Sequence, residues 1–481
     1  MSAQTINIKI VGISFMIFLF SSIKLNAQDI SYDKKIGKEA HDEIVSTVGL
    51  YHHPFETYLA QIGKRLELNI ENKQFNYQFY ILDMKEPNAM ALPGGSVYFS
   101  RGILPLANSE AELAGVLGHE IIHAHKRHSI KAMRKGIFPA ILQIPGEIIN
   151  VVISPQLGNL INTPIKYTGE LFSSNYSRKN EKEADKFGVA LSAKSGYEPL
   201  ALVKMLNKLE KIAKLSSDEE AKFSFFDSHP MTAKRESDIQ KRVKKLEVAD
   251  VNPIIKDQNV FLKKLDGISL SGNPAHGVFQ NHVFLHPDMG FVIEFPKDWL
   301  TSNSPEMVGA VDSTKSAQLF MGVKAEQKKP SIYAEETKKE LPLDDIVLIN
   351  DKKIKINGNE GYIISMGSKE AEEKMIIHML WLNMGKYTFQ ILAAGDESYN
   401  EVLKKSVLSI RPITKKEKKS VKATVLRIVE AKENETLTSL SERTKNVLNL
   451  EYLSIINELE VSTKLSKGQL IKIGKEETYP E

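Results

Sequence analysis

The spacing of apolar residues changes twice along the chain, and each change predicts a different kind of structure. Between residues 30 and 70 apolar side chains recur at helical spacing, which predicts two helices. The first helix is carried by Ile36, Ala40, Ile44 and Val48, and the second by Tyr58, Leu59, Ile62, Leu66 and Leu68. Residues 75–81 then alternate apolar and other side chains, as in a half-buried strand, and 97–99 begin another strand after a Pro-Gly-Gly turn.

A helical pattern returns after this small sheet. Ser109 begins a helix with Glu112 three residues later, which is a capping-box signature, and the helix is predicted to run to about Met133. Further helices are predicted over 177–196, 200–214 and 232–246. The fold class of this part is mainly helical with a small sheet.

Strand patterns dominate after about residue 275. Residues 291–296, 318–323, 362–364 and 375–392 read as strands, and 399–408 as a closing helix. Residues 276–413 are therefore predicted to form an α+β accessory domain, with Trp299 in its core. The lysine-rich stretch 415–419 is predicted to be a polar linker to a small module over 421–475.

Two apolar segments, residues 1–27 and 136–172, do not fit these domains and need separate explanations. Residues 1–27 are expected to be a signal peptide, with Lys9 before a short apolar run and Ala27 before the cleavage point; an uncleaved anchor is the alternative. Residues 136–172 are apolar but interrupted by prolines. We expect a loop that covers the site, with a transmembrane hairpin or peripheral membrane contact as alternatives.

The composition of the chain excludes some classes of metal site and catalytic residue. Lys and Arg total 64 and Asp and Glu total 60, so the formal charge of +4 gives no reason to expect nucleic acid as a partner. The chain has no cysteine, which excludes thiolate metal sites and cysteine nucleophiles. Any metal must be bound by His, Asp or Glu.

Such a metal site is indicated by the sequence Gly118-His119-Glu120-Ile121-Ile122-His123. His119 and His123 are one helical turn apart, so both imidazoles can reach one Zn²⁺. Glu120 lies beside the ligands and can accept a proton from a metal-bound water.

A catalytic zinc ion usually has a third protein ligand. Glu181 and Asp185 are four residues apart on one predicted helix face. We assign Glu181 as the third ligand and Asp185 as the carboxylate that accepts a histidine N–H. Glu183 is expected on a solvated face. His125 is expected at the surface, and His128 as a hydrogen-bonded structural residue.

These motifs resemble the gluzincin metallopeptidases related to CAAX prenyl proteases, and within them the secreted BepA-like or HtpX-like branch. The resemblance covers residues 30–247. It rests on the two segments above together with Asn88–Gly95, Ser228-His229-Pro230 with Arg235, and Ile36–Ala40.

The resemblance implies a zincin fold with one Zn²⁺ per chain, bound by His119, His123 and Glu181, and Glu120 as general base. His229 would stabilise an oxyanion or occupy the open coordination position, or else belong to a helix N-cap. Arg235 would orient His229 or contact the substrate backbone. Substrate would bind as an added strand along Ala91, Pro93, Gly94 and Gly95.

The implied function is that of a zinc metalloendopeptidase of the periplasm, free or membrane-associated, acting on unfolded or misassembled envelope proteins. The alternatives are a protease-like chaperone or scaffold, and a peptidoglycan-binding adaptor. Residues 280–412 loosely resemble the Mog/PsbP-like fold. Residues 424–474 resemble a LysM βααβ module, with a small packing domain as the alternative to glycan binding.

Overall fold

The computed structural model describes residues 30–134, 176–215, 225–230, 234–246, 250–339, 341, 346–369 and 374–479. The predicted signal peptide at 1–27 and the predicted covering loop at 136–172 lie outside these residues. Nothing in the described part of the chain is a helix both long and apolar enough to span a bilayer.

The amino-terminal region, residues 30–264, consists of helices around one small sheet. Its helices are α1 (30–47), α2 (Phe55–Glu67), α3 (Glu110–His125), α4 (His128–Arg134), α5 (Arg178–Lys194), α6 (Ala201–Leu215), α7 (Phe225–Ser228), α8 (Arg235–Val243) and α9 (Gln258–Lys264), with a 3₁₀ helix at Arg101–Leu106. Its strands are β1 (Gln78–Leu82), β2 (Ala89–Ala91) and β3 (Ser96–Ser100).

The sheet separates two layers of helices. Its order is β1-β3-β2, with β1 parallel and β2 antiparallel to the central β3. Because side chains alternate along β3, Tyr98 packs with α1 on one face, whereas Val97 and Phe99 face the core that contains α2 and α3. The predicted buried faces of α1 and α2 are confirmed except at Leu68, which is 86% exposed because it follows the end of α2.

Helix α3 begins as predicted but ends earlier. The Ser109 hydroxyl accepts a hydrogen bond from the Glu112 N–H. The helix stops at His125, not near Met133, because Arg127 has a left-handed backbone with φ of 57°. The Arg127 guanidinium donates to both carboxylate oxygens of the buried Asp33, at 2.6 and 2.7 Å. This ion pair from α1 holds the turn at which α4 restarts.

The middle region, residues 274–420, has two antiparallel sheets. Its strands are β4 (Val278–Gln280), β5 (Val283–His286), β6 (Phe291–Glu294), β7 (Leu300–Asn303), β8 (Met307–Val311), β9 (Ala317–Val323), β10 (Ile346–Ile356), β11 (Asn359–Ser368), β12 (Met375–Met384), β13 (Tyr387–Asp396) and β14 (Arg411–Pro412). Its helices are α10 (Pro330–Lys338), α11 (Asn400–Val407) and α12 (Lys415–Ser420).

The larger of these sheets has the order β10-β11-β12-β13-β9-β8-β7, and the smaller β14-β6-β5-β4. Adjacent residues such as Ile363 and Ile364 lie in different cores, because α11 covers one face of the large sheet and α10 the other. The predicted strand over 375–392 is two strands joined at Gly385, whose φ is 60°. The predicted polar linker at 415–419 lies in the short helix α12, which has no buried residues and begins with a capping box between Thr414 and Glu417.

The carboxy-terminal segment has the order strand, helix, helix, strand. Its elements are β15 (Lys422–Glu430), α13 (Leu437–Thr444), α14 (Leu450–Asn457) and β16 (Leu470–Thr478), and β15 pairs antiparallel with β16. The apolar residues of this segment belong to the same core cluster as those of α2 and α3. The segment is therefore built into the amino-terminal region.

Polar contacts also join the carboxy-terminal segment to the amino-terminal region, just before α3. The buried Lys472 ammonium donates to the carbonyl oxygens of Pro105 and Ala107, at 2.6 and 3.0 Å. Glu458 accepts a hydrogen bond from the Asn108 side chain at 3.1 Å. Burial, together with the nearby positive charge of Lys208, lowers the pKa of Lys472 well below its ordinary value. A buried cation of this kind is retained only where its partners are fixed.

We expect Ile456→Ala in α14 to destabilise α3 as well as the carboxy-terminal segment. Ile456 is fully buried in the core that both share, and removing such a side chain costs about 2–5 kcal/mol of unfolding free energy. Amide hydrogen exchange of α3 and α14 measures both effects. Leu380→Ala, in the separate core of β12, is the control and should leave exchange of α3 unchanged. Faster exchange in α14 alone would show that the two regions are independent.

Candidate metal centre

The candidate centre lies where α3 crosses α5, and two glycines let the backbones approach closely. A Cβ on Gly188 would lie 2.9 Å from the backbone N and Cα of His119. A Cβ on Gly118 would lie 3.0 Å from the Gly188 carbonyl oxygen. No side chain fits between the helices at this point, so the imidazoles of α3 and the carboxylates of α5 face each other across a short gap.

Four buried side chains converge in this gap. One ligand atom from each of His119, His123, Glu181 and His229 lies within 4.8 Å of all the others. The Nε2 atoms of His119 and His123 are 3.1 Å apart, and His123 Nε2 is 3.2 Å from Glu181 Oε1. His229 enters from the turn after α7, with Nδ1 3.2 Å from the same oxygen.

The ionisation states of two of these donors, His123 and Glu181, suit a bound cation. Burial lowers the pKa of His123 well below its ordinary value, which leaves its ring neutral and able to bind metal. Although burial acts in the opposite direction, His229, His119 and His123 hold the pKa of Glu181 well below its ordinary value, so the carboxylate is ionised. Three imidazoles and one carboxylate form the nitrogen and oxygen donor set of a zinc site, and the residues present fit that ion.

Asp185 and Arg235 surround the donors. Asp185 Oδ1 lies 3.0 Å from His119 Nδ1, the ring nitrogen that faces away from the other donors. Arg235 binds both oxygens of Asp185 at 2.9 Å and lies 3.0 Å from Glu181 Oε2. It also donates to the backbone carbonyl of His229 at 3.3 Å. Arg235 is only 4% exposed, and these contacts fit the predicted role of orienting the neighbouring groups.

Glu120 is fully buried beside the donors and points at His229. Glu120 Oε1 and His229 Nε2 are 3.4 Å apart, and within the described residues neither atom makes a hydrogen bond. Burial raises the pKa of Glu120 above its ordinary value. A buried carboxylate without a fixed partner is suited to take up and release a proton.

The turn at residues 93–95 packs closely on neighbouring backbone. Gly37 of α1 packs so closely on the Pro93 carbonyl that an added Cβ would overlap it, and Gly94 contacts the backbone of Asp33 and Lys34. Pro93 and Gly95 are buried. Gly95 approaches Phe75 and the Asn76 carbonyl oxygen instead of α1. The substrate contacts of Pro93, Gly94 and Gly95 stay predictions. Ala91 lies on β2, which pairs only with β3 among the described strands.

Several residues of the centre were missed in the sequence. Tyr176 precedes α5 and lies over the His123 ring, with centroids 3.9 Å apart. Phe225 stacks on His229 at 4.3 Å. Glu183, expected on a solvated face, instead lies 3.2 Å from the buried His128. The only sign of these contacts in the sequence was the position of Tyr176 and Phe225 close to the motifs. The contacts themselves depend on how the helices pack.

Comparisons with known proteins agree with this geometry. Residues 55–243 match the model of peptidase family M48. The chain is 28% identical over 227 residues to the β-barrel assembly-enhancing protease of Yersinia pestis, covering 46% of each. It is 29% identical over 217 residues to metalloprotease LoiP of Escherichia coli, covering 44% of this chain and 80% of that one. The chain spans less than half the length of the first curated relatives it matches.

One solved structure is similar to part of the chain. The solution structure of cyanobacterial PsbP from Synechocystis is 12% identical, with a TM-score of 0.23, and the match covers 28% of this chain and 95% of that one. At this TM-score the similarity carries no argument about the fold, so the Mog/PsbP-like fold stays a prediction.

We expect Gly188→Ala to weaken the binding of Zn²⁺. The new methyl group would meet backbone atoms of His119, which cannot rotate away, so α3 and α5 must separate at a cost of about 1–3 kcal/mol. Zinc affinity, measured by competition with a chelator, should fall together with the unfolding temperature. Gly272→Ala is the control, because a Cβ there meets no atom within 4 Å. Unchanged zinc affinity in Gly188→Ala would contradict the close-approach argument.

Proposed function

We propose, on the premise that residues 55–243 belong to peptidase family M48, that the chain is a zinc-dependent metalloendopeptidase. The observation that carries the proposal is the buried convergence of His119, His123 and Glu181 next to a carboxylate, Glu120, that has no fixed partner among the described residues. A structural metal site would have no use for such a carboxylate.

The proposed mechanism assigns one task to each side chain. His119, His123 and Glu181 would hold Zn²⁺, which would supply a Lewis acid for the scissile carbonyl and lower the pKa of the attacking water. Glu120 accepts the proton of that water and passes it to the leaving amine. Its raised pKa makes the carboxylate a stronger base than an exposed glutamate. Asp185 and Arg235 keep the ligands in place.

We propose that the substrate binds as an extended strand beside β2. This strand is an edge of the three-stranded sheet, and it packs on α3, the helix that carries the zinc motif. Backbone pairing at a sheet edge reads little of the side-chain sequence. That tolerance supports unfolded or misassembled envelope proteins as substrates, in agreement with the name of the β-barrel assembly-enhancing relatives.

The proposed location is the periplasm, reached with the predicted signal of residues 1–27. Peptidoglycan is proposed as a partner through the LysM-like segment 421–475, supported by its strand, helix, helix, strand order. The packing of α14 on α6 and the 3₁₀ helix leaves only the other faces of this segment for a glycan. Sedimentation of the full chain with purified peptidoglycan tests the partner; a chain that stays in the supernatant excludes it.

We expect Glu120→Gln to abolish hydrolysis while zinc stays bound. The amide keeps the shape of the side chain but cannot accept the proton, and loss of general-base catalysis lowers kcat by about 10²–10⁴-fold. Cleavage of a denatured, fluorescently labelled protein measures the rate, and metal analysis measures the zinc content. Glu39→Gln, an exposed position on α1, is the matched control. Unaltered cleavage by the Glu120 variant would contradict the proposed peptidase function.

His229 has two proposed roles, and the geometry favours the role of a fourth ligand in a resting state. Its Nδ1 is 3.2 Å from Glu181 Oε1 and 3.3 Å from His119 Nε2, so it lies within the donor cluster. A ligand in that position would exclude the attacking water. An oxyanion stabiliser would instead have to face the substrate carbonyl.

We therefore expect His229→Ala to raise kcat/KM for a short peptide and to weaken zinc binding, because one of four donors is lost. The two quantities are measured by peptide cleavage at saturating zinc and by chelator competition. A fall in kcat of about 10²–10³-fold with intact zinc affinity would identify His229 as the oxyanion stabiliser.

A further inference from the structure

The Nδ1 atoms of His119 and His123, which face away from the donor cluster, have different partners. Nδ1 of His119 lies 3.0 Å from a carboxylate oxygen, Asp185 Oδ1. Nδ1 of His123 instead lies 3.1 Å from Nδ1 of His128, and Nε2 of His128 lies 3.2 Å from Glu183 Oε2. His128 is 1% exposed and the Glu183 side chain 34% exposed, so this chain of contacts runs from the centre of the site to the surface.

The directions of these contacts allow one arrangement of protons. Nε2 of His123 faces His119 and Glu181, so it is the ligand atom and must keep its lone pair. The proton of the neutral ring is then on Nδ1, which donates to Nδ1 of His128. His128 must accept there, so its own proton is on Nε2 and is donated to the Glu183 carboxylate.

We infer that Glu183 and His128 are positioning residues for His123: the chain Glu183–His128–His123 fixes the tautomer and ring orientation of that zinc ligand. Partners behind a metal-binding imidazole orient the ring and raise its basicity. The inference rests on the proposed function only in taking His123 as a zinc ligand.

The break between α3 and α4 is what makes this contact geometrically feasible. In an uninterrupted helix, residues five positions apart point about 140° from each other, so His128 could not face His123. The left-handed Arg127, held by Asp33, turns the chain so that α4 starts at His128 with its ring next to that of His123. The ring centroids are 4.9 Å apart and nearly perpendicular, at 82°.

The other face of His123 is covered independently. Tyr176 lies over the ring at 3.9 Å, and its hydroxyl is 3.0 Å from the Ser129 hydroxyl. Stacking restricts the plane of the imidazole but does not distinguish its two flipped orientations. The hydrogen bond that His123 donates to His128 makes that distinction, because only one flip places one ring nitrogen toward the donor cluster and the other toward His128.

The experiment compares Glu183→Ala with Glu183→Gln in the full chain. Glu183→Ala removes the last acceptor and should weaken Zn²⁺ binding about 10-fold, the low end of the usual effect for a partner behind a ligand. Glu183→Gln keeps an oxygen that accepts from His128 and should restore most of the affinity. Asp238→Ala, which removes another carboxylate with a 34% exposed side chain beside α5, is the control and should have no effect.

Two readouts other than hydrolysis decide the outcome: the zinc dissociation constant by chelator competition, and the ¹⁵N chemical shifts of the histidine ring nitrogens. In the zinc-loaded protein we expect His128 protonated at Nε2, and a mixture of tautomers in Glu183→Ala. An unchanged constant and unchanged ring signals in Glu183→Ala would overturn the inference and leave the proposed function standing. Failure of the unaltered protein to bind zinc would instead overturn the proposed function.

Discussion

The absence of a side chain at Gly118 and at Gly188 is the constraint on which the site depends. Where α3 crosses α5, the backbone atoms themselves are in contact, and any Cβ would push them apart. Glutamate, aspartate and histidine side chains are too short to compensate for such a separation. The two helices are thus fixed first by glycine contact, and the donor atoms of His119, His123 and Glu181 meet as a consequence.

A second constraint comes from α1, which lies before the segment that matches the peptidase family. Its Asp33 holds the Arg127 turn at the end of α3, and Gly37 packs on the turn at Pro93. One helix thereby sets both where the zinc-motif helix stops and where the sheet beside it turns. The buried Asp33 carboxylate is stable there because the guanidinium binds both of its oxygens.

Features that depend on local spacing were predictable from the sequence. The pairing of His119 with His123, and of Glu181 with Asp185, follows from one helical turn, and the buried faces of α1 and α2 follow from the apolar period. Features set by distant residues were not. The end of α3 depends on Asp33, 94 positions away, and the contact of Glu183 depends on a ring in α4. The close packing of Pro93 and Gly94 depends on α1. The order of strands and helices after residue 421 was predictable, but not its packing.

That packing has a consequence for how the molecule is made. The Lys472 side chain donates hydrogen bonds to the carbonyl oxygens of Ala107 and Pro105, which lie 365 and 367 positions earlier in the chain. Both residues come immediately before the helix that carries the zinc motif. Because synthesis proceeds from the amino terminus, a nascent chain lacks this contact until residue 472 has been made. Contacts between such distant segments form slowly, because the entropy of closing a large loop is lost before the contacts stabilise the structure. The helix that carries the candidate ligands therefore gains this support only after the carboxy-terminal segment has been synthesised.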